Sequence, residues 1–145
     1  MQLETFFNNY TGKWSIQQTI NYLANNEIKK TNYNIQLIHS YLNDKNIIIS
    51  CKNDHNSVDF KLEWRTFDLD SNNAIIGQIV KNNNQIGICK LEKEYHLKLY
   101  KKFKGLDIEE NLKLLSNGLY ISNTIIKLNG NLIATSFKSA IKLKN

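Results

Sequence analysis

Apolar and polar residues alternate along most of this chain, which predicts a protein built from β-strands. Residues 14–24 show the clearest period of two, with Trp14 and Ile16 on one face of a half-buried strand. Residues 33–42 also fit a strand, although their spacing suits a helix as well, and residues 106–115 either contain a helical turn or begin another strand. The same alternation predicts strands over 47–52, 57–67, 74–81, 85–92 and 95–103.

Local signals at the two ends of the chain add a helix and a hairpin. Residues 2–9 form a short helix with one apolar side, and Gly12 ends it. Near the C-terminus, Asn129-Gly130 separates the alternating segments 119–128 and 132–143, and this dipeptide is the strongest short-range signal of a β-hairpin. Asparagine-rich segments that read as turns occur at 43–46, 53–56, 71–73 and 82–84.

Short turns and the absence of crossover helices predict an antiparallel meander. Closing the meander into a barrel removes its exposed edges, and about eight to ten strands leave room inside for one small ligand. We therefore expect a single all-β domain over residues 1–145, an antiparallel barrel with a short N-terminal helix. In the strand over 57–67, the predicted inward residues are Val58, Phe60, Leu62 and Trp64, and the predicted outward residues are Asp59, Lys61, Glu63 and Arg65.

The net charge and the scarcity of arginine limit the classes of molecule that this chain is expected to bind. The net charge is +6, yet Arg65 is the single arginine among 19 basic residues. Since RNA-binding modules combine aromatic platforms with arginine, we expect no nucleic-acid partner. The basic segment 98–104 is interpreted as a solvated strand face, with binding of an acidic partner or of ligand carboxylates as the second interpretation.

No apolar run approaches the roughly 18 residues that span a bilayer, so we expect no membrane span. The acidic and aromatic N-terminus resembles neither a secretory signal nor a transit peptide. We therefore expect a soluble protein that works where it is made or has already been processed.

Cys51 and Cys89 lie far apart, without a CxxC motif or a histidine at ligand spacing, so we expect no metal site and predict two reduced, buried thiols. The chain has no proline and is dominated by Asn, Ile and Lys, whose codons are AT-rich. This composition indicates an AT-rich genome, such as that of a plastid, an endosymbiont or certain parasites.

Three segments together resemble a known family. After Phe6-Phe7, the segment 12–23 is similar to the N-terminal signature FF…GKWxSQRTxxxL of the S/U-type phycobiliprotein lyases. Residues 60–64 resemble the strand that carries the central tryptophan of that family. Residues 110–142 follow the lyase pattern ErLWFaSPNLRxRTS…GfSxaSFxSEIR without a gap. The resemblance covers about half of the chain.

The resemblance implies a lipocalin-like barrel and a bilin substrate. Lyases of this family attach an open-chain tetrapyrrole to a cysteine of an apo-phycobiliprotein. By analogy, phycocyanobilin or phycoerythrobilin is the expected substrate rather than a permanent cofactor, and an apo-phycobiliprotein subunit is the expected partner. A homodimer, or a heterodimer with another lyase subunit, is a further expectation. Together with the composition, the resemblance places the protein in the plastid stroma of a red or cryptophyte alga.

The resemblance also assigns site residues, and the chain departs from the pattern at several of them. The family's carboxylic acid, which assists protonation of the bilin during thiol addition, falls on Glu110, so burial beside a tetrapyrrole is expected to raise the pKa of this residue. Arginines that pair with the bilin propionates are replaced by Gln18, Tyr120 and Ser122, and at one position by Lys142. The implied bilin-binding residues are Gln17, Gln18, Trp64, Tyr120, Ser122 and Lys142.

Each of these residues has a simpler alternative. Glu110 is also consistent with an exposed acidic loop, and Trp64 with ordinary packing in the hydrophobic core. Gln17 and Gln18 are also consistent with a solvent-exposed strand face. Lys142 fits an exposed chain end. Three functions therefore remain open: a divergent lyase, a bilin chaperone or phycobilisome assembly factor without transfer activity, and an unrelated carrier of an apolar ligand.

Overall fold

The computed structural model describes residues 3–43, 46–55, 57–69, 73–93 and 95–144. These residues form one helix and ten strands. The elements in chain order are α1 (Leu3–Tyr10), β1 (Gly12–Tyr22), β2 (Glu27–Asn43), β3 (Asn46–Lys52), β4 (Val58–Leu69), β5 (Ile75–Lys81), β6 (Asn84–Lys93), β7 (His96–Phe103), β8 (Leu106–Ser116), β9 (Leu119–Leu128) and β10 (Asn131–Lys142).

The ten strands form a closed antiparallel barrel, which confirms the predicted fold class. Each strand pairs with the next in sequence, and β1 closes the barrel by pairing with β10. The closing register runs from Trp14 opposite Lys142 to Tyr22 opposite Ala134. Because side chains alternate between the two faces, this register determines which residues of neighbouring strands meet inside the barrel.

Both segments with an ambiguous pattern are strands. β2 includes residues 33–42 and begins earlier than predicted, at Glu27, while β8 includes residues 106–115 without a helical turn. The β9–β10 hairpin turns at Asn129 and Gly130, whose φ angles are 50° and 84°. These angles are typical of the type I′ turn that Asn-Gly favours. The predicted turns at 43–46, 53–56 and 71–73 include residues 44, 45, 56, 71 and 72, which lie outside the described residues.

A β-bulge in β4 reverses two predicted side-chain directions. Cys51 is opposite Phe60 and Lys52 is opposite Val58, so Asp59 has no partner across the ladder. Val58 is consequently 44% exposed, and Asp59 contributes to the wall of an interior cavity. The predictions for Val58 and Asp59 were wrong, because the extra residue of a bulge shifts the alternation by one position.

Helix α1 packs over one end of the barrel. Its buried residues are spaced three or four apart, as one face of a helix requires, and they are Leu3, Phe6, Phe7 and Tyr10. The Nε1 of Trp14 donates a hydrogen bond to the Tyr10 carbonyl oxygen over 2.9 Å, which joins the end of the helix to β1. Among the described residues, no helix is long and apolar enough to cross a membrane.

Candidate functional site

A cluster of polar side chains lies inside the barrel, centred on Glu110 of β8. Glu110 is 6% exposed. Its Oε2 accepts a hydrogen bond of 2.5 Å from the Ser122 hydroxyl on β9, and it lies 3.6 Å from the Lys138 Nζ on β10. Tyr33 of β2 lines the same cavity and interacts electrostatically with Lys138. Four strands thus bring a carboxylate, an ammonium and two hydroxyl groups together inside a largely apolar interior.

The surroundings of Glu110 favour its ionised form. Burial alone would raise the pKa of this carboxyl, but the positive charges of Lys138 and Lys101 and the hydroxyl of Ser122 hold the pKa below its ordinary value. Burial likewise lowers the pKa of Lys138, and the Glu110 carboxylate reverses this effect and raises it. Without a ligand, Glu110 is therefore an ion-paired carboxylate, and the upward shift expected beside a bound tetrapyrrole stays a prediction.

Lys101 is the second cation of the interior, and it lies on β7. Its Nζ lies 4.8 Å from the centre of the Phe60 ring. Burial lowers the pKa of the Lys101 ammonium, an effect that Glu110 opposes. Lys98, in the same basic segment, lies 3.1 Å from Glu92, and Lys102 is exposed, so the interpretation as a solvated face holds for these two lysines and fails for Lys101.

The cluster borders a cavity of about 130 Å³. Apolar side chains of several strands form much of the wall, together with the thiol of Cys51. Burial raises the pKa of Cys51 to about 12, so this thiol is protonated at neutral pH. Polar and charged residues that line the cavity are Tyr10, Tyr33, Asp59, Lys101, Glu110, Tyr120 and Lys138. Among the described residues, no group of three or more His, Cys, Asp or Glu side chains is arranged to hold a metal ion.

Two residues at lyase arginine positions line the interior without a positive charge. Tyr120 is buried, and its ring meets the Trp14 ring edge-on, with 4.7 Å between centroids. Ser122 is fully buried and donates to Glu110, as described above. Both residues therefore contact the cluster, and Tyr120 also helps to fill the end of the barrel under α1.

The first-motif glutamines separate onto opposite faces of β1. Gln18 points inward, and its Nε2 donates a hydrogen bond of 3.0 Å to the Ser136 hydroxyl of β10. Gln17 is exposed on the outer face, as the alternation of the strand requires. The structure therefore brings Gln18, but not Gln17, to the inner wall.

Lys142 and Trp64 lie away from the cavity. The Nζ of Lys142 lies 5.0 Å from the centre of the Trp14 ring and donates to the Asn9 carbonyl oxygen over 2.8 Å. Trp64 is 1% exposed, and its ring centroid lies 5.7 Å from that of Phe7 in α1. Its buried Nε1 has no hydrogen-bond partner among the described residues. Lys142 thus ties the chain end to the helix, and Trp64 belongs to the core under α1.

Comparison with solved structures identifies the fold. The S-type phycobiliprotein lyase CPES from Guillardia theta gives a TM-score of 0.71 at 15% sequence identity, over 100% of this chain and 94% of that one. The chain therefore has the fold of an S-type phycobiliprotein lyase. A protein of unknown function from the DUF3598 family of Nostoc punctiforme gives a TM-score of 0.62 at 11% identity, over 99% of this chain but 49% of that one. No protein-family model and no curated protein matches the sequence.

The sequence reasoning missed Lys138, Tyr33 and the inward direction of Lys101. A signal for Lys138 exists in β10, where Ser136 and Ala140 share its face. Larger apolar residues, such as Phe137, alternate with these small ones, so the pattern predicts that the Phe137 face is buried. In the structure, Phe137 is 44% exposed. Nothing comparable distinguishes Lys101 from its lysine neighbours.

A wider depression lies on the outside of the barrel, across β6 to β9. It has a volume of about 760 Å³. Ile88, Tyr100, Glu109 and Ile125 follow one another across these strands in register. These four residues occupy outward positions, but Lys101 and Ile108 also line the depression, and Lys101 lines the cavity beside Glu110 as well.

Proposed function

We propose that this chain is a divergent relative of the S/U-type phycobiliprotein lyases that binds an open-chain bilin and presents it to an apo-phycobiliprotein. One observation carries the proposal. A buried carboxylate, Glu110, stands with two cations inside a barrel that shares its fold with an S-type lyase, at the position where the lyase pattern has its acid. The proposed setting is an algal plastid.

The size of the interior limits how a bilin binds. Pockets that enclose a drug-sized ligand measure about 300–1,000 Å³, so a cavity of about 130 Å³ accepts one part of a four-ring molecule. At the end of the barrel away from α1, the inward residues Ile20, Ile108 and Ile126 are half-exposed. We propose that one end of the bilin enters the cavity from this side and that the remaining rings lie along these apolar residues.

Transfer requires a proton that ionised Glu110 lacks before the bilin binds. In the proposed reaction, the acceptor thiol loses its proton to solvent, its sulfur forms a carbon–sulfur bond at the exocyclic double bond of the bilin as that double bond opens, and the neighbouring ring carbon receives a proton. Glu110 can supply that proton only if the bilin disturbs its contacts with Lys138 and Ser122. Protonation of Glu110 on binding is thus part of the lyase version of the proposal.

A second version, a bilin chaperone or assembly factor without transfer activity, is favoured by a different observation. Gln18, Tyr120 and Ser122 cannot form the two-pronged pairs that arginine makes with carboxylates. The ion-paired state of Glu110 points the same way. A heterodimer with an arginine-containing subunit would restore these groups, and we expect such a pairing only if the isolated chain binds bilin without transferring it.

The decisive experiment mixes the purified protein with phycocyanobilin or phycoerythrobilin, follows absorbance, and then adds an apo-phycobiliprotein β-subunit. Attachment is scored as colour that survives acid-urea denaturation. A shifted spectrum with stable attachment supports the lyase, and a shifted spectrum without attachment supports the chaperone. If neither bilin changes its spectrum, bilin binding is refuted.

Two variants separate chemistry from binding. Glu110→Gln is expected to abolish attachment while the bilin still binds. Glu109→Gln serves as the matched control, because Glu109 is the next residue along β8 and points to the outside. If Glu110→Gln transfers bilin as fast as Glu109→Gln, Glu110 is not the acid.

A further inference from the structure

Lys101 is the cation of the interior that lacks a close anionic partner. Within the residues that the structure describes, its ammonium has no hydrogen-bond partner and no carboxylate within 4.0 Å, and its nearest recorded contact is the Phe60 ring at 4.8 Å. Lys101 is half-buried and lines both the cavity beside Glu110 and the wider depression across β6 to β9, and its ammonium carries three N–H donors. These donors are therefore open to an oxygen acceptor of a ligand at the cavity wall.

The carboxylates that share the cavity are already bound elsewhere. Glu110 accepts from Ser122 over 2.5 Å and lies 3.6 Å from Lys138. The Asp59 Oδ1 accepts a hydrogen bond of 3.0 Å from the Asn53 side-chain amide. These contacts occupy one oxygen of each carboxylate, and among the described residues neither carboxylate lies within 4.0 Å of the Lys101 ammonium.

A second buried group beside the cluster is also unused. Thr124 lies on β9 directly opposite Glu110, and its buried hydroxyl has no hydrogen-bond partner among the described residues. Lys101 on β7 and Thr124 on β9 thus flank β8 from both sides. Unsatisfied buried polar atoms such as the Thr124 hydroxyl are few in folded proteins. This hydroxyl, together with the Lys101 ammonium that is unpaired among the described residues, indicates a place for a polar part of a ligand beside Glu110.

We propose that Lys101 binds a carboxylate group of the ligand, on the side of Glu110 that faces away from α1. This inference rests on the proposed function for the identity of the ligand, whose propionate arms supply the carboxylate. A three-carbon arm fits a cavity of about 130 Å³, whereas four rings do not. Lys101 therefore takes over the ionic contact that the lyase pattern assigns to arginines at Gln18, Tyr120 and Ser122.

The test compares phycocyanobilin with its dimethyl ester in absorbance titrations of three proteins: the natural chain, Lys101→Met and Lys102→Met. Methionine keeps the length of the side chain and removes the charge. Lys102 is the matched control, since it is the next residue of β7, exposed on the outer face. Circular dichroism checks that each variant is folded.

The natural chain and Lys102→Met are expected to prefer the free acid over the ester. Lys101→Met is expected to bind the free acid about tenfold or more weakly, and the ester unchanged, because a hydrogen bond to a charged group is lost. Equal binding of acid and ester by the natural chain overturns the proposal, as does a preference that survives in Lys101→Met. Both results leave bilin binding itself intact.

A smaller probe tests the inference if no bilin binds. Sodium propionate is titrated into protein labelled at the lysine side chains, with propionamide as the neutral control, and the lysine resonances are followed by NMR. A saturable shift with propionate that is absent in Lys101→Met supports the carboxylate site while bilin binding fails. No saturable shift, together with no bilin binding, refutes both proposals.

Discussion

Replacing Glu110 by Gln leaves two buried partners, Ser122 and Lys138, facing a neutral amide. The shape of the side chain is preserved, so the change tests charge rather than packing. Because the Lys138 ammonium stays inside the barrel after its counter-charge is removed, we expect a large loss of stability. This prediction concerns the folded protein alone and requires no ligand.

The distances set the size of the effect. At 3.6 Å and an effective dielectric constant of about 20, the attraction between the Glu110 carboxylate and the Lys138 ammonium is about 4–5 kcal/mol before desolvation is counted. The charged hydrogen bond from Ser122 contributes about 1.5–3 kcal/mol. The Lys138 side chain is 21% exposed, so water and the retained amide contacts offset part of the loss. We expect a net decrease in the free energy of unfolding of about 2–4 kcal/mol.

Urea unfolding followed by circular dichroism measures this decrease, and its pH dependence identifies the cause. The pKa of Glu110 in the folded protein lies below its ordinary value of 4.5. Its ionised form therefore stabilises the fold above that value, and this stabilisation is lost as the pH falls through the folded pKa. The gap between the natural chain and Glu110→Gln is expected to be full at about pH 7 and to shrink below about pH 4.5.

Glu109→Gln provides the comparison, because it removes the same charge from the outer face of the same strand. We expect this control to change the free energy of unfolding by less than about 0.5 kcal/mol. Two results would contradict the reasoning: an equal loss in both variants at neutral pH, or a loss in Glu110→Gln that stays constant as the pH falls. Either result would mean that the ion pair does not determine the stability of the interior.

Three smaller predictions concern backbone and thiols. Gly130→Ala is expected to lower the free energy of unfolding by about 1–2 kcal/mol, because φ at this position is +84°. Gly118→Ala is the control, since the added methyl again has nothing within 4 Å but φ is not positive. This control is expected to be nearly neutral in the same urea assay. Gly77→Ala places a methyl 2.5 Å from a backbone oxygen of β4 and is expected to cost about 1–3 kcal/mol. A thiol-specific reagent is expected to modify Cys51 and Cys89 only in the unfolded protein. Both thiols are buried, and burial raises the pKa of each. Rapid modification of the folded chain would contradict this prediction.

The strands could be predicted from the sequence because alternation with a period of two is a property of neighbouring residues. The Asn129-Gly130 turn is equally local, since only small or polar residues tolerate its two positive φ angles. The pattern also predicted a closed or nearly closed barrel, because closing a meander of about eight to ten strands removes its exposed edges, and the structure shows a closed barrel. The β4 bulge escaped prediction, since an unpaired residue such as Asp59 is defined by the partner strand and not by its own neighbours.

The candidate site was predictable in part. Glu110 was found through the resemblance, and its burial is a matter of register, which places it opposite Thr124 on β9 and Leu99 on β7. Its ion pairing in the absence of a ligand was not predicted, because the pairing depends on Lys138 and Lys101, which lie on other strands. The pattern of residues along one strand does not show which charged residues of other strands lie beside it.

The replacement of arginines and the position of the two interior lysines have a common consequence for the ligand. Tyr120 packs edge-on against Trp14, and Ser122 is held by Glu110, so the end of the barrel under α1 is filled by aromatic rings and a short hydroxyl. The cavity is lined by two lysines, Lys101 and Lys138, and by two carboxylates, Glu110 and Asp59, and Lys101 lies opposite half-buried Ile108 on the side away from α1. Under the proposed function, we expect a carboxylate of the ligand to approach Lys101 from the end of the barrel opposite the helix. Helix α1, whose apolar face is buried at the other end, is not expected to move for this approach, because the ligand enters from the side that the helix does not cover.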